Sequence, residues 1–261
     1  MKVKVITSYK PGTWNQYARR AVDSILKHWP EDTKVTVYHE TQTQDIFEHP
    51  RLEWIDVHEV QPALLEFKNK YKDDPVANGE IQEIDNGVRR PGPMPSKGSF
   101  QWNAVRFSNK VFCVTHALRN SIDYDYVIWI DADTYSFRKI PPSFLHKILP
   151  SDSFVTYLGR GDQDPECGFV GYNLKHVELQ QFNNEWEDLY TNDGIFKLTS
   201  GWTDCSSLIY LVRKYQKQKE IKVTDIGHAS GVKGNHVFIN SVLGLYMDHF
   251  KGKRKKSGTS W

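Results

Sequence analysis

What this sequence lacks narrows it first. No apolar run approaches the roughly 20 residues needed to cross a bilayer, so no membrane span is expected. Cysteine is scarce: Cys113, Cys167 and Cys205 are odd in number, lie far apart and show no paired metal-site spacing. Free thiols in a reduced compartment are the expectation. A charge excess is missing too: 34 basic against 32 acidic residues leave a net +2, which gives the chain as a whole no bias toward polyanions. No internal repeat is visible. The start, Met1-Lys2-Val3-Lys4-Val5-Ile6, has the pattern of a strand rather than of a signal peptide, and a soluble cytoplasmic protein is expected.

What is there is a globular composition, 39% hydrophobic with 8 Trp and 13 Tyr. Such aromatics suit carbohydrate faces and equally a thick core. The length suffices for one domain over 1–261. Val3 to Tyr9 patterns as a strand that breaks at Lys10-Pro11-Gly12-Thr13. Ala18, Ala21, Val22, Ile25 and Leu26 then recur at helical spacing up to Pro30, and Lys34 to Tyr38 makes a second strand. Strand, helix and strand with short connections predict a parallel pair. Thr7, Ser8 and Tyr9 fall at the carboxyl end of the first strand, where Tyr9 is either a platform for a nucleoside or a plain loop tyrosine.

Further strands are expected at Leu52–Val57, Phe154–Leu158 and Gly168–Leu174, the last carrying two glycines that suggest close approach of a backbone or ligand. Residues 73–99, rich in Pro and Gly, predict a lid over a crevice, with a mere insertion as the alternative. Helices are expected at Trp102–Leu118, Leu179–Leu189, after Trp202-Thr203-Asp204 (where Thr203 or Asp204 is also a natural cap) and at Asn235–Met247. On the first of these Arg106 and Lys110 share a face, which is either a solvated basic surface or a reach toward a ligand. The pattern predicts an α/β protein: a single-domain α/β/α sandwich with a mostly parallel central sheet.

The chain's most informative stretch is Tyr126-Val127-Ile128-Trp129-Ile130-Asp131-Ala132-Asp133-Thr134. Its apolar half predicts a strand buried on both faces. The two aspartates that end it would lie on one face about 7 Å apart if the chain stays extended. Ligands of open α/β sheets bind past the carboxyl ends of strands. A hard divalent ion takes one or two carboxylates plus substrate phosphates, so Asp131 and Asp133 predict a metal–diphosphate site; turn or cap duty is the plainer alternative. Near the end, Asp248-His249-Phe250-Lys251-Gly252-Lys253-Arg254-Lys255-Lys256 puts five basic residues within six positions. Alone, that is a solvated tail or a nucleic-acid patch. Led by His249 and interrupted by Gly252, it also suits a third metal ligand, with Lys255 neutralising phosphate.

Taken together, Lys110-Val111-Phe112-Cys113 through Asp131-Ala132-Asp133-Thr134, Glu166 to Leu174, and the closing His249-x-x-Gly252-x-x-Lys255 resemble glycogenin-like, family 8 glycosyltransferases with the A-type fold. Lys256 stands where that family has proline, and Asp204 is the substitute for its late Asp-Gln segment. The resemblance implies a retaining hexosyltransferase that moves sugar from a nucleoside-diphosphate donor, UDP-linked, to a carbohydrate or other hydroxyl acceptor. It implies Mn2+ or Mg2+ on Asp131, Asp133 and His249. Thr7, Ser8, Tyr9, Arg106, Lys110, Asp131, Ala132, Lys251, Gly252 and Lys255 would bind the donor, and Glu166 or Asp204 would face the anomeric carbon or acceptor. The alternatives are a sugar-phosphate nucleotidyltransferase or metal hydrolase of similar architecture, and a non-catalytic polyanion binder. Nucleic acid is not the expected partner.

Overall fold

Residue patterning and structure agree over most of the chain. The computed structural model describes residues 1–40, 46–80, 82–85, 88–91, 99–227, 236–252 and 254–257. The first half runs β1 (Val3–Ser8), α1 (Ala18–His28), β2 (Lys34–His39), β3 (Leu52–Asp56), α2 (Val57–Val60), α3 (Pro62–Tyr71), β4 (Gln82–Asp85), β5 (Val88–Pro91) and α4 (Ala104–Arg119). The second half runs β6 (Tyr126–Ile130), β7 (Thr134–Ser136), α5 (Pro142–Ile148), β8 (Val155–Arg160), β9 (Gln163–Asn173), α6 (Leu179–Thr191), α7 (Asp204–Lys219), β10 (Val223–Asp225), α8 (Val237–Asn240), β11 (Met247–His249) and α9 (Arg254–Ser257).

Seven strands form one sheet in the order β10-β8-β9-β6-β1-β2-β3. Neighbours are parallel except around β9, which pairs antiparallel with both β6 and β8. The sheet is therefore mixed but mostly parallel, with helices on both sides. Strand β6 shows why it sits in the middle. Val127 and Trp129 face one core with α4, α6 and α7, while Tyr126, Ile128 and Ile130 face the other with α1 and α5. Each such side chain contributes about 1.5–3 kcal/mol on burial. Helix α1 buries Ala18, Ala21, Val22 and Ile25 and stops where Trp29 turns extended ahead of Pro30. Helix α4 starts on Asn103, whose side chain accepts from the Arg106 amide, and α7 starts on Thr203, which accepts from Ser206.

Three expectations change on contact with the structure. The helix expected over Asn235–Met247 is two short turns, α8 and a 3-10 segment Val242–Leu245, because the Ser241 hydroxyl accepts from the Leu243 amide and restarts the chain direction; Asn235 lies outside the described residues. The turn-rich Gly159–Cys167 is mostly strand: β8 and β9 join tightly at Gly161, whose φ of +64° glycine tolerates best. Within 73–99 the described part includes the hairpin β4–β5, while 81, 86–87 and 92–98 lie outside it.

Candidate active site

The aspartates do not continue β6 as an extended chain. The Asp131 amide still donates to the Gly168 carbonyl, adding one rung to the β6–β9 ladder, but Thr134 N–H then bonds back to the Asp131 carbonyl at 2.9 Å. A turn thus separates β6 from β7. Short strand β7 pairs antiparallel with β11, with His249 opposite Thr134, and Phe250 N–H donates to the Asp133 carbonyl. Backbone pairing alone brings residue 249 beside the aspartate turn.

The side chains then close up. His249 Nε2 lies 2.8 Å from Asp133 Oδ1 and 3.5 Å from Asp131 Oδ2. One ligand atom from each of the three residues lies within 4.8 Å of the others. Two carboxylates and an imidazole make a donor set that could hold a divalent cation and suit Mn2+ better than Mg2+. Asp133 also accepts from Lys255 Nζ at 2.5 Å. Burial alone would raise the Asp133 carboxyl, but His249 and Lys255 outweigh it and hold it well below the usual range. Burial likewise works to lower the His249 imidazole, and the Asp133 and Glu166 charges reverse that, raising it to about 9.

Glu166 on β9 is 4% exposed and stands behind the histidine. Its Oε1 lies 3.0 Å from His249 Nδ1, and its Oε2 lies 3.2 Å from His236 Nε2 and 2.6 Å from Lys251 Nζ. Those partners overcome its desolvation and keep it ionised. A carboxylate at that distance places negative charge behind the His249 ring, where outer carboxylates stand behind metal-bound histidines. The room for this contact comes from Gly168, where a Cβ would stand 2.4 Å from His249 Nδ1. Gly171 similarly admits Leu149, so among the protein's own atoms both glycines make room for side chains.

Lys110 is not a solvated lysine. Its ammonium bridges Asp131 Oδ1 (3.1 Å) and Asp204 Oδ2 (2.8 Å), donates to the Cys167 carbonyl, and lies 4.9 Å from the Trp129 ring centre. Desolvation opposes its charge, yet the two carboxylates raise its pKa well above the ordinary value. Asp204, first residue of α7, is raised by burial despite Lys110. Trp129 Nε1 donates to Asp131 Oδ1 at 2.6 Å.

One crevice of about 1450 Å³ is lined by Ser8, Tyr9, Arg106, Lys110, Asp131, Ala132, Asp133, Glu166, Asp204, His249, Lys251, Gly252 and Lys255. Thr7 is the exception: at 1% exposure it is buried within β1, one residue short of the strand's mouth. Tyr9 is 5% exposed and packs its ring on Trp14, leaving little face for stacking. Arg106 is exposed, with its guanidinium over Phe100. Sequence reasoning missed Trp129 and His236. The first was findable, since it sits two residues before Asp131 on one strand face; nothing local marks the second.

No family model and no curated protein matches the chain. Solved structures do. The WbbM bifunctional glycosyltransferase, apo form, aligns at TM-score 0.53 and 12% identity over 96% of this chain, which spans 46% of that one. Mouse xyloside xylosyltransferase 1 aligns at TM-score 0.47 and 10% identity over 85% of this chain and 83% of its own. A glycosyltransferase involved in glycosylation of the major capsid of PBCV-1 aligns at TM-score 0.49 and 11% identity, over 98% and 96%. Mixed, mostly parallel and flanked by helices, the seven-stranded sheet gives this chain the A-type glycosyltransferase fold.

Proposed function

We propose that the crevice transfers a hexosyl group, with retention, from a UDP-linked sugar to a hydroxyl-bearing acceptor, using Mn2+ or Mg2+ held by Asp131, Asp133 and His249. The observation that carries this is the meeting of those three side chains with Lys251 and Lys255 at the mouth of a mostly parallel sheet. The likeness of fold to glycosyltransferases supports it, as does the resemblance to the glycogenin-like family.

When bound, the cation supplies Lewis acidity to the departing diphosphate. The chain's own residues do the rest. Lys251 and Lys255 exchange Glu166 and Asp133 for phosphate oxygens, so positive charge is in place where negative charge grows. Gly252, at φ +61° with open space where a Cβ would be, allows its backbone close to those oxygens. Ser8 and Tyr9 border the nucleoside, with Arg106 on the far wall. Lys110 fixes the spacing between Asp131, next to the ribose or sugar, and Asp204, next to the sugar or acceptor. Glu166 is a positioning residue for His249 rather than a general base, because its hydrogen bond to His236 and the charges of His249 and Lys251 leave its carboxylate little affinity for a proton.

A thermal-shift screen of nucleoside-diphosphate sugars tests the proposal. A cognate donor at a hundred times its Kd stabilises by about 2.7 kcal/mol, and the shift is expected only with Mn2+ or Mg2+ present. Asp133→Asn should abolish the shift and turnover while the fold persists. Full turnover in excess EDTA would overturn the metal assignment, and pyrophosphate release from a nucleoside triphosphate and a sugar phosphate would point to nucleotidyl transfer instead.

A further inference from the structure

Two of the three thiols meet a carboxylate on the wall of the same crevice. Cys167 follows Glu166 on β9, and Cys205 follows Asp204 in the first turn of α7. The Cys167 and Cys205 sulfurs and an Asp204 oxygen lie within 4.8 Å of one another. Cys205 Sγ is 3.7 Å from Asp204 Oδ2, and Cys167 Sγ makes a long contact, 3.9 Å, to the Pro165 carbonyl. All three residues line the crevice, and Cys205 is partly exposed, so an ion can reach them from solvent. Cys113, the remaining cysteine, is buried in α4.

The chemistry of this cluster differs from that of the aspartate turn. Two sulfurs and one oxygen favour a thiophilic ion, whereas two carboxylates and an imidazole favour a harder one. Zinc binds sulfur at about 2.3 Å and carboxylate oxygen at about 2.0–2.2 Å, which sets its ligand atoms roughly 3.3–3.8 Å apart in a tetrahedron. The three ligand atoms already lie within 4.8 Å of one another.

We infer that Cys167, Cys205 and Asp204 form a second cation site, selective for thiophilic divalent ions of the Zn2+ class. Binding one ion forms two metal–sulfur bonds and one metal–oxygen bond, and releases both thiol protons to solvent. A fourth position faces the crevice. The two sites are linked through Lys110, whose ammonium touches both Asp204 and Asp131. An ion on Asp204 takes that carboxylate from Lys110, so Zn2+ should inhibit; this consequence rests on the sugar-transfer reading, whereas the site itself does not.

The test uses the full chain, reduced, metal-free and under anaerobic conditions, titrated with Co2+ as the spectroscopic substitute for Zn2+. One equivalent is expected to produce near-ultraviolet thiolate-to-cobalt charge-transfer absorption that Zn2+ abolishes. Cys205→Ser removes one of the two proposed thiolate ligands and should sharply weaken both the band and Zn2+ binding, while Cys113→Ala and Asp133→Asn keep the full band; thermal unfolding establishes that each variant is folded. No charge-transfer band in the folded wild-type chain, or a band undiminished in Cys205→Ser, overturns the site. A band without any sugar transfer would uphold the site and count against the proposed function instead.

Discussion

Adding one methyl group at Gly168 should separate the proposed metal site from the fold. In Gly168→Ala the new Cβ would lie 2.4 Å from His249 Nδ1, 2.8 Å from its Cε1 and 2.9 Å from Glu166 Oε1. Ordinary contact begins at 3.4 Å, so the imidazole must retreat by about 1 Å. It has little room to do so, being 1% exposed, held by Asp133 at 2.8 Å and packed against the rings of His236 and Phe238. Overpacking of this kind costs about 1–3 kcal/mol, and displacing a ligand from its supporting carboxylate costs about 10–100-fold in metal affinity. Gly171→Ala is the control: on the same strand, its Cβ would meet Leu149 Cδ2 at 2.4 Å, far from any ligand. Urea unfolding without metal should show both variants destabilised. Mn2+ titration, followed by the electron-spin resonance of the free ion, should show lost affinity for Gly168→Ala alone. Wild-type affinity in Gly168→Ala, or an equal loss in Gly171→Ala, would refute the assignment of His249 and its support.

Lys110→Met should lower stability by about 3–5 kcal/mol, because it strands the Asp204 carboxylate in a buried site. Lys110→Met with Asp204→Asn should recover part of that in urea unfolding; no recovery would mean the pair is not the cause. The metal-free protein should also lose stability as pH rises. The His249 pKa is about 9 folded against 6.5 unfolded, so its contribution is fully present below pH 6.5 and disappears as pH passes 9. The size is on the order of 3 kcal/mol, and His249→Gln should flatten that part of the urea-midpoint profile. Arg254→Ala should loosen the segment after β11, since its guanidinium holds both Asp248 and the His249 carbonyl; faster amide exchange at residues 248–252 is the readout.

Much of this was legible from residue order. The all-apolar run of Tyr126 to Ile130 betrayed a strand covered on both faces, and the spacing of Ala18, Ala21, Val22 and Ile25 marked α1, with Pro30 as its stop. The convergence of Asp131, Asp133 and His249 was foreseen as a pairing of types, yet its geometry was not, because a reversal of the chain after Ile130 replaces the extended spacing. Of the two readings of Lys110, the solvated one does not hold, and nothing local says that Asp204 arrives from a helix 94 residues later to share it with Asp131. Glu166 was visible as a carboxylate near a glycine-bearing strand. Its engagement by His236 and Lys251 depends on contacts made only in the folded chain.

The clasp between β7 and β11 has a consequence for biosynthesis. Asp133 and His249 are separated by 116 residues, and ribosomes add about 5–20 residues per second, so the acidic turn leaves the tunnel about 6–23 s before its histidine. All seven strands of the main sheet are complete by Asp225, ahead of β11. A nascent chain can therefore acquire its architecture before Asp131, Asp133 and His249 can meet, and the proposed cation site is completed only when the last strand docks.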